Sequence, residues 1–268
     1  MSHKTLISGT VYEISGGKTL ISGTAYEISG GKTLVNGTAY DVSFVPCIGD
    51  PVFANNTWET IIAACQSGKV HKTWAVGDQK TMTINGVNYT IDIIGKNHDT
   101  YVEGGTAPLT FQLHELYATK YQMNSSGTNS GGYDSSLMHT THLPAILNLM
   151  PSAVKNAIRL VNKQSTVGDR SATLETIPCK LFLLSEWEVC GKAYRSAAQE
   201  GSKYDYYPEG AVGEKPERMK YLSGSAFVWW LRGPAYHNTE NFTIVSKDGS
   251  SSSGSASYSY GVAPGFCF

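Results

Sequence analysis

The segment AFVWWLR (226–232), with NFTIVS (241–246) and GVAPGFCF (261–268) after it, decides the fold of the C-terminal part of the chain. Each segment is short, rich in aromatic or β-branched residues, and followed or preceded by polar residues. This pattern is typical of antiparallel strands that pack around a large aromatic side chain, here Trp229 or Trp230. Neighbouring residues of a strand face opposite sides, so one tryptophan should anchor the core and the other should lie under a binding site.

Arg232 follows the two tryptophans and admits two interpretations. Its planar guanidinium either presents a fork to a carboxylate or an aromatic ring of a ligand, or it pairs with a buried acid. The sequence leaves both open.

The run SSSSGSASYSY (250–260) lies between the last two strand-like segments and has the composition of a flexible linker. Two features argue against a free tether. Tyr258 and Tyr260 alternate with serine, and the apolar segment that follows should return to a core. We therefore predict a loop held at both ends, with serines as permissive positions and tyrosines as contacts.

The composition excludes several classes of function. Of the 268 residues, 41% are hydrophobic, which is enough for a large core. Only 16% are charged and the net charge is −1, so we expect no basic surface for nucleic acid. The N-terminus lacks the pattern of a signal peptide, and no apolar stretch approaches membrane-spanning length. We expect synthesis in a bacterial cytoplasm and no membrane insertion. The five cysteines include no CxxC pair and are expected to be buried thiols.

The first 44 residues consist of a repeat with a period of 14, in the copies KTLISGTVYEISGG (4–17), KTLISGTAYEISGG (18–31) and KTLVNGTAYDVSF (32–44). Each copy places Ser-Gly or Asn-Gly between two strand-like pairs, which predicts a β-hairpin. Such short strands form marginal sheets, so residues 1–44 should dock onto other proteins or form a homo-oligomer. The alternative is that they pack on their own domain.

The remaining residues, 45–268, predict a mixed domain. Thr57 caps a short helix that Gly68 ends, and Asn85-Gly86 marks another hairpin. From Leu109 to Gln164 the periodicity is helical, and the SEWE segment at 185–188 reads as a capping box. The predicted fold class is therefore α+β.

Eight motifs of this domain, in this order, carry a family resemblance: FANNTWETIIAACQSG, WAVGD, IIGKNHD, SSLMHTTHLPAILNLMPSAVKNAI, LFLLSEWEVCG, EGSKYDYY, VWWLRGP and SYGVAPGFCF. The chain resembles a large family of proteins from phages and gut bacteria. The resemblance implies a C-type-lectin-like fold shared with formylglycine-generating enzymes. Ala263 stands where that family commonly has Arg. The repeats are similar to those of phage tail and other virion proteins.

The resemblance also extends to variable proteins of diversity-generating retroelements, in which mutagenesis at adenines changes residues near the C-terminus. Residues 235–260 are rich in the residue types that such mutagenesis yields, a composition that antibody paratopes share. The alternative is that these are ordinary polar loops. The candidate ligand-binding residues are Trp230, Arg232, Tyr236, His237, Asn238, Glu240, Asn241, Ser251, Ser253, Ser255, Ser257, Tyr258 and Tyr260.

Candidate catalytic or metal-binding residues are few. His98-Asp99 is interpreted as a structural turn, and His139 and His142 have a helical spacing for a shared metal but lack a visible third ligand. Cys267 stands without the second cysteine that a formylglycine-generating enzyme requires, and it is expected in the core. The calcium-binding motifs of lectins of this fold are absent from the sequence. We expect no cofactor, no metal and no enzymatic activity.

The leading interpretation is a virion-associated adhesin of a phage, which displays a lectin-like surface to a protein or glycan of the host cell and docks to other virion proteins through residues 1–44. An alternative is a structural decoration or assembly protein of the virion. A relative of the formylglycine-generating oxidases is the third interpretation.

Overall fold

The computed structural model describes six strands between His3 and Val42, and then residues 47–210 and 215–268. The chain divides into two compact units, Met1–Ile48 and Gly49–Phe268. The boundary lies close to residue 44, where the repeat was expected to end.

The first unit contains three antiparallel hairpins: β1 (His3–Ile7) with β2 (Thr10–Ile14), β3 (Lys18–Ile21) with β4 (Thr24–Glu27), and β5 (Gly31–Val35) with β6 (Thr38–Val42). In the described residues each hairpin is a separate two-stranded sheet. The strands match the predicted hairpins of the repeat. The Ser-Gly and Asn-Gly turns between them lie outside the described residues.

Helix α1 (Trp58–Ser67) begins and ends as the sequence predicts. The Thr57 side chain accepts a hydrogen bond from the Thr60 amide, and Gly68 ends the helix with a φ of 67°. The hairpin at Asn85-Gly86 is also confirmed, between β7 (Gln79–Ile84) and β8 (Val87–Lys96). Local turn and capping chemistry is sufficient to place these elements.

The largest sheet has four antiparallel strands in the order β17 (Gly265–Cys267), β9 (Leu109–Leu113), β8 and β7. All five side chains of β9 are buried. Phe111 packs against Phe266 and Phe268, with both ring-centroid distances at 5.3 Å. The C-terminal GVAPGFCF segment thus returns to the core, as its apolar composition predicts.

The helical prediction for Leu109 to Gln164 is wrong at both ends. Its middle contains a π-helical turn (Met138–His142) and the helices α2 (Leu143–Leu149) and α3 (Ser152–Ala157). Its ends are the strand β9 and the strand β10 (Val161–Thr166), which pairs with β11 (Leu174–Cys179). Each of these strands pairs with strands outside residues 109–164, and such pairing overrides local periodicity.

Helix α4 (Glu186–Cys190) starts with the predicted capping box of Ser185 and Glu188, and Gly191 ends it. A short hairpin, β12 (Lys220–Leu222) with β13 (Ser225–Phe227), leads into a three-stranded antiparallel sheet. The strands of this sheet are β14 (Trp229–Pro234), β15 (Asn241–Val245) and β16 (Ser251–Ser255).

The prediction of a loop for the serine run is wrong over Ser251–Ser255, which form β16 at the edge of this sheet. Serine has little intrinsic preference for strands, and here the backbone pairing with β15 decides the conformation. Tyr258 and Tyr260 follow the strand.

The domain is α+β, with antiparallel sheets predominating over short helices. Within the described residues, no helix has the length and apolarity needed to cross a membrane.

Candidate functional site

Most of the predicted contact residues come together on one surface, here called the β15–β16 surface. It comprises the loop 236–240, Asn241 at the start of β15, the outward side chains of β16 and the segment 257–260. The sheet pairing brings these parts together, because Asn241 lies opposite Ser255 and the Ala256 amide donates to the Glu240 carbonyl at 2.9 Å. Two segments that are distant in sequence therefore form one continuous face.

Hydrogen bonds between side chains connect the loop to the edge strand. Ser253 Oγ lies 3.2 Å from His237 Nε2, and the Asn241 amide donates to the same oxygen at 3.3 Å. Further along the strand, the hydroxyls of Ser255 and Ser257 are 3.1 Å apart. These contacts order side chains whose other donors and acceptors face solvent.

Two tyrosines project from the β15–β16 surface. Tyr236 is 52% exposed and Tyr258 is 57% exposed, the two largest exposures among the tyrosines with described side chains. The backbone of each is held, since the Tyr236 amide donates to the Arg195 carbonyl and the Tyr258 amide donates to the Ser255 carbonyl. An exposed aromatic ring on a fixed backbone supplies contact area at low entropic cost.

Tyr260 supports this surface from below. Its ring packs on Trp230 with a centroid distance of 4.8 Å, and it covers Gly254, where a Cβ atom would come within 2.5 Å of the ring. The expectation that only one of the two tryptophans lies in the core is wrong, because Trp229 and Trp230 are both fully buried. Both side chains find partners in the interior: the Tyr260 ring shields Trp230, and Trp229 Nε1 donates to the Arg218 carbonyl at 3.1 Å.

Ser251 lies at the inner end of the surface and donates a hydrogen bond to the buried carboxylate of Glu186. The other oxygen of Glu186 accepts from the backbone amides of residues 194–196. This serine therefore links the edge strand to helix α4. Of the serines predicted as contacts, it is the one with a structural partner in the core.

Asn129 is a residue that the sequence analysis missed. Its side chain is fully buried, and its amide group donates to the carbonyls of Asn238 at 3.1 Å and Asn241 at 2.9 Å. Its Oδ1 atom accepts from the Asp169 amide at 3.0 Å. Asn238 in turn caps the loop by accepting from two backbone amides. Asn129 thus fixes the loop 236–240 from inside, and only the tertiary structure identifies it.

Arg232 does not reach the β15–β16 surface, so its assignment to the contact residues is corrected. It is fully buried and forms a two-pronged ion pair with Glu188, with Nη1–Oε2 at 2.5 Å and Nη2–Oε1 at 3.1 Å. The same carboxylate lies 2.6 Å from Lys163, which also pairs with Asp99 at 2.7 Å. The interpretation that Arg232 pairs with a buried acid is the one that the geometry supports.

We call Asp99, Lys163, Glu188 and Arg232 the buried charge cluster. Burial alone would raise the pKa of Glu188, but the charges of Arg232 and Lys163 outweigh it and lower that pKa. Burial would likewise lower the pKa of Lys163, yet the charges of Asp99 and Glu188 raise it. The four groups therefore remain ionised and hold strands β10 and β14 and helix α4 together.

The remaining candidates occupy structural positions. His98 stacks on the ring of Tyr204 with a centroid distance of 3.8 Å, next to the buried Asp99, in agreement with a structural role. His139 faces the thiol of Cys179 at 3.7 Å, and His142 stacks on Tyr121 at 4.4 Å, so the two histidines contact different neighbours.

The prediction of buried free thiols is confirmed for four of the five cysteines. All five are free thiols, with Cys47 half-buried and the other four buried. Cys267 is fully buried in β17, and burial raises the pKa of its thiol well above the usual value. In the described part of the chain, no three His, Cys, Asp or Glu side chains are grouped as a metal site would require.

The β15–β16 surface offers hydroxyls, amides, an imidazole, a carboxylate and two projecting phenol rings. These groups suit recognition by hydrogen bonding and stacking.

Comparison with curated proteins gives no match, and comparison with solved structures gives none either. One family model, described as "Domain of unknown function (DUF6273)", matches residues 109–268 and thus spans β9 to β17 and the whole β15–β16 surface. The match covers more than half of the chain, which therefore belongs to the DUF6273 family.

Proposed function

We propose that the chain is a binding protein that recognises a macromolecule of a bacterial cell surface, a protein or a glycan, through the β15–β16 surface. The observation that carries this proposal is the contrast between exposed, chemically adaptable side chains and the fixed backbone that presents them. The loop 236–240 is tied to the buried Asn129, and β16 is paired along its length with β15.

A fixed backbone favours affinity because less conformational entropy is lost on binding. The tyrosines supply area, while serine and asparagine adapt their hydrogen bonds to the ligand. The surface is nearly uncharged, with Glu240 as its carboxylate and His237 as its imidazole. Such a surface suits neutral, polar ligands such as glycans better than highly charged ones.

The family resemblance of the sequence supports a finer proposal. We infer a C-type-lectin-like fold for the second unit and a place on a phage virion, where the hairpins of the first unit bind other virion proteins or further copies of the chain. In this proposal the segment 235–260 is the part that a diversity-generating retroelement would vary. The strand pairing supports this, since the outward serines of β16 can change without altering the backbone hydrogen bonds to β15.

Binding of the purified, fluorescently labelled chain to a panel of intact gut bacteria tests the proposal. The variant Tyr236→Ser with Tyr258→Ser should lose at least tenfold in binding to any strain that the unmodified chain binds. The matched control is Tyr221→Ser, since Tyr221 is 44% exposed but lies on β12, outside the β15–β16 surface. Equal binding by the double variant and the control would overturn the assignment of the surface.

The alternative, a structural decoration or assembly protein, predicts that the β15–β16 surface is covered in the intact particle. Cryo-electron microscopy of a virion that contains the chain separates the two: a surface that faces solvent supports recognition of a host, and burial against neighbouring virion proteins rejects it.

For diversification, the test is the neighbouring DNA. A reverse transcriptase gene beside a near-copy of the 3′ coding end, differing at adenines, is expected.

A further inference from the structure

A cavity of about 250 Å³ lies away from the β15–β16 surface and is lined by His114, Tyr206, Lys220 and neighbouring residues. Lys220 is only 4% exposed, whereas His114 at the rim is exposed. A buried lysine beside a histidine in a small cavity is not needed for macromolecular recognition. It requires an explanation of its own, because burying an ammonium group is costly.

Lys220 is held by backbone carbonyls. Its Nζ atom donates to the Leu113 carbonyl at 2.5 Å and to the His114 carbonyl at 2.9 Å. A neutral amine keeps two N–H donors and has a lone pair in place of the third proton. The two carbonyls thus satisfy both donors of the neutral form and leave its lone pair without a role in the fold, whereas they leave the ammonium with one donor unused.

Burial also favours the neutral form, and it outweighs the surrounding charges. Burial lowers the pKa of Lys220 to about 8, although the charges of Asp92 and Glu115 oppose the shift. The other titratable side chains that line the cavity are His114, Tyr206, Glu217 and Tyr221. The Trp229 ring lies 5.6 Å from Nζ on another side. At pH 7 about a tenth of such an amine is neutral, against less than a thousandth for an ordinary exposed lysine.

His114 is arranged for proton transfer. Its Nδ1 lies 2.8 Å from the Asp92 carboxylate, which can only accept, so Nδ1 carries a proton and Nε2 is the ring nitrogen that remains for proton exchange; the residue lines the cavity. The hydrogen bond that His114 donates to Asp92 raises the pKa of His114 despite partial burial. Asp92 is fully buried and is held in place by Tyr206, whose hydroxyl donates at 2.7 Å, and by Gln79 at 2.8 Å.

We propose that Lys220 captures small aldehydes or ketones as a reversible imine, with His114 as the acid–base group. The Nζ lone pair adds to the carbonyl carbon and the amine proton passes to the oxygen, which gives a carbinolamine. The imidazolium form of His114 then protonates the hydroxyl from Nε2–H, water leaves with the C–O electron pair, and the iminium proton returns to Nε2. The balance is one amine and one carbonyl compound to one imine and one water. The volume of the cavity corresponds to a molecule of about eight non-hydrogen atoms.

Reductive trapping tests the proposal on the full chain. The protein is mixed at pH 7 with an equimolar amount of propanal and with sodium cyanoborohydride, which supplies the hydride that reduces the imine, and the labelled lysines are located by peptide mass spectrometry. We expect Lys220 to be labelled on the order of 100-fold faster than the exposed Lys72 and Lys120. Labelling of Lys220 at or below the rate of those lysines would overturn the proposal.

Two further measurements separate the cavity from a merely reactive amine. Pyrene-1-carboxaldehyde, whose fused rings exceed the cavity, should label Lys72 and Lys120 but not Lys220; equal selectivity for Lys220 would reject the cavity as the site. In the variant His114→Gln, the labelling of Lys220 should slow by at least tenfold, with unchanged labelling of Lys72. If the labelling rate of Lys220 is the same in His114→Gln as in the unmodified chain, His114 has no acid–base role.

The variant Lys220→Arg should abolish the fast labelling, and Lys120→Arg is its matched control. Since the guanidinium introduced by Lys220→Arg is larger than the amine and stays charged, circular dichroism and the midpoint of urea unfolding are measured for both variants. Should the variant fail to fold, the comparison of propanal with the pyrene aldehyde on the unmodified chain still decides the matter. None of these results depends on the β15–β16 surface.

Discussion

Strands β14 and β16 belong to the same three-stranded sheet, and they differ in almost every physical respect. All six residues of β14 are buried, among them Trp229, Trp230 and Arg232. In β16 only Gly254 is buried, and the four serines are half-exposed. The difference shows that the interactions that stabilise this sheet are concentrated on one strand, while the other contributes backbone pairing and an accessible surface.

This division has a consequence for variation. A serine of β16 other than Ser251, which bonds to the buried Glu186, can be replaced at a cost that is usually within about 0.5 kcal/mol, since it fills no cavity in the core. A residue of β14 cannot be replaced without leaving a void or an uncompensated charge. The four predictions below test this contrast, starting with the change that should cost the most stability.

The largest effect is expected for Arg232→Met. It leaves Glu188 buried with Lys163 as its remaining cationic partner, and breaking a buried ion pair in this way costs about 3–5 kcal/mol. Urea unfolding at pH 7 measures the loss. Arg195→Met, at an exposed position, is the matched control and should change the free energy of unfolding by less than about 0.5 kcal/mol. Similar values for the two variants would mean that the buried charge cluster does not stabilise the fold.

Asn129→Ala should cost about 2–3 kcal/mol, because it leaves several buried backbone groups without a partner. It should also reduce binding to the bacterial strain identified with the unmodified chain, although Asn129 is fully buried. Asn148→Ala on the exposed side of α2 serves as the control. Full binding by a destabilised Asn129→Ala chain would show that the loop 236–240 does not need this support.

Glu200 should make the stability depend on pH. Burial raises the pKa of its carboxyl to about 7, although Arg232 opposes the shift. The folded chain then binds a proton that the unfolded chain has released between about pH 4.5 and 7, so stability should fall by about 3 kcal/mol as pH rises through this window.

Glu200→Gln removes this titrating group, and the difference in free energy of unfolding between it and the unmodified chain should change with pH over the same window. Asp99 and Glu188 have lowered pKa values and affect stability only below about pH 4, since their contribution is lost as pH falls. Urea unfolding at pH 4.5, 6 and 8 makes the comparison. A difference that is constant with pH would show that Glu200 is ionised throughout.

The smallest effects are expected at the two tyrosines beyond β16. Tyr260→Ala removes the ring that packs on Trp230 and should cost about 1–2 kcal/mol. Tyr258→Ala should change stability by less than about 0.5 kcal/mol, since its ring is 57% exposed. Thermal unfolding measures both. The two tyrosines were expected from the sequence to be equivalent contacts, and equal melting temperatures for the two variants would restore that expectation.

The sequence predicts well where the chemistry is local. The turn at Asn85-Gly86 has positive φ at both residues, of 49° and 78°, which the Asn-Gly dipeptide tolerates better than most. The capping box at Ser185 and Glu188 likewise depends on residues three positions apart. The strand-like composition of AFVWWLR and NFTIVS indicated β14 and β15 for the same reason.

The sequence predicts poorly where a distant partner decides. Strand β9 reads as helical, yet it forms the middle of a sheet whose other members come from residues 79–96 and 265–267. Most of the candidate contact residues lie together on the β15–β16 surface, but Arg232 is buried away from it. Asn129 escaped notice because the loop residues that it holds, Asn238 and Asn241, are more than a hundred positions away.

By itself, the sequence determined the α+β class, the hairpin repeat, the caps and turns, and the alternating serines and tyrosines near the C-terminus. Each of these follows from short-range periodicity or from the conformational preference of single residues. Only the tertiary structure decided that the serine run is an edge strand, that Trp230 and Arg232 are buried, and that Lys220 lines a cavity. Burial and pairing depend on the assembly of segments that are far apart in the chain, and a local pattern cannot encode them alone.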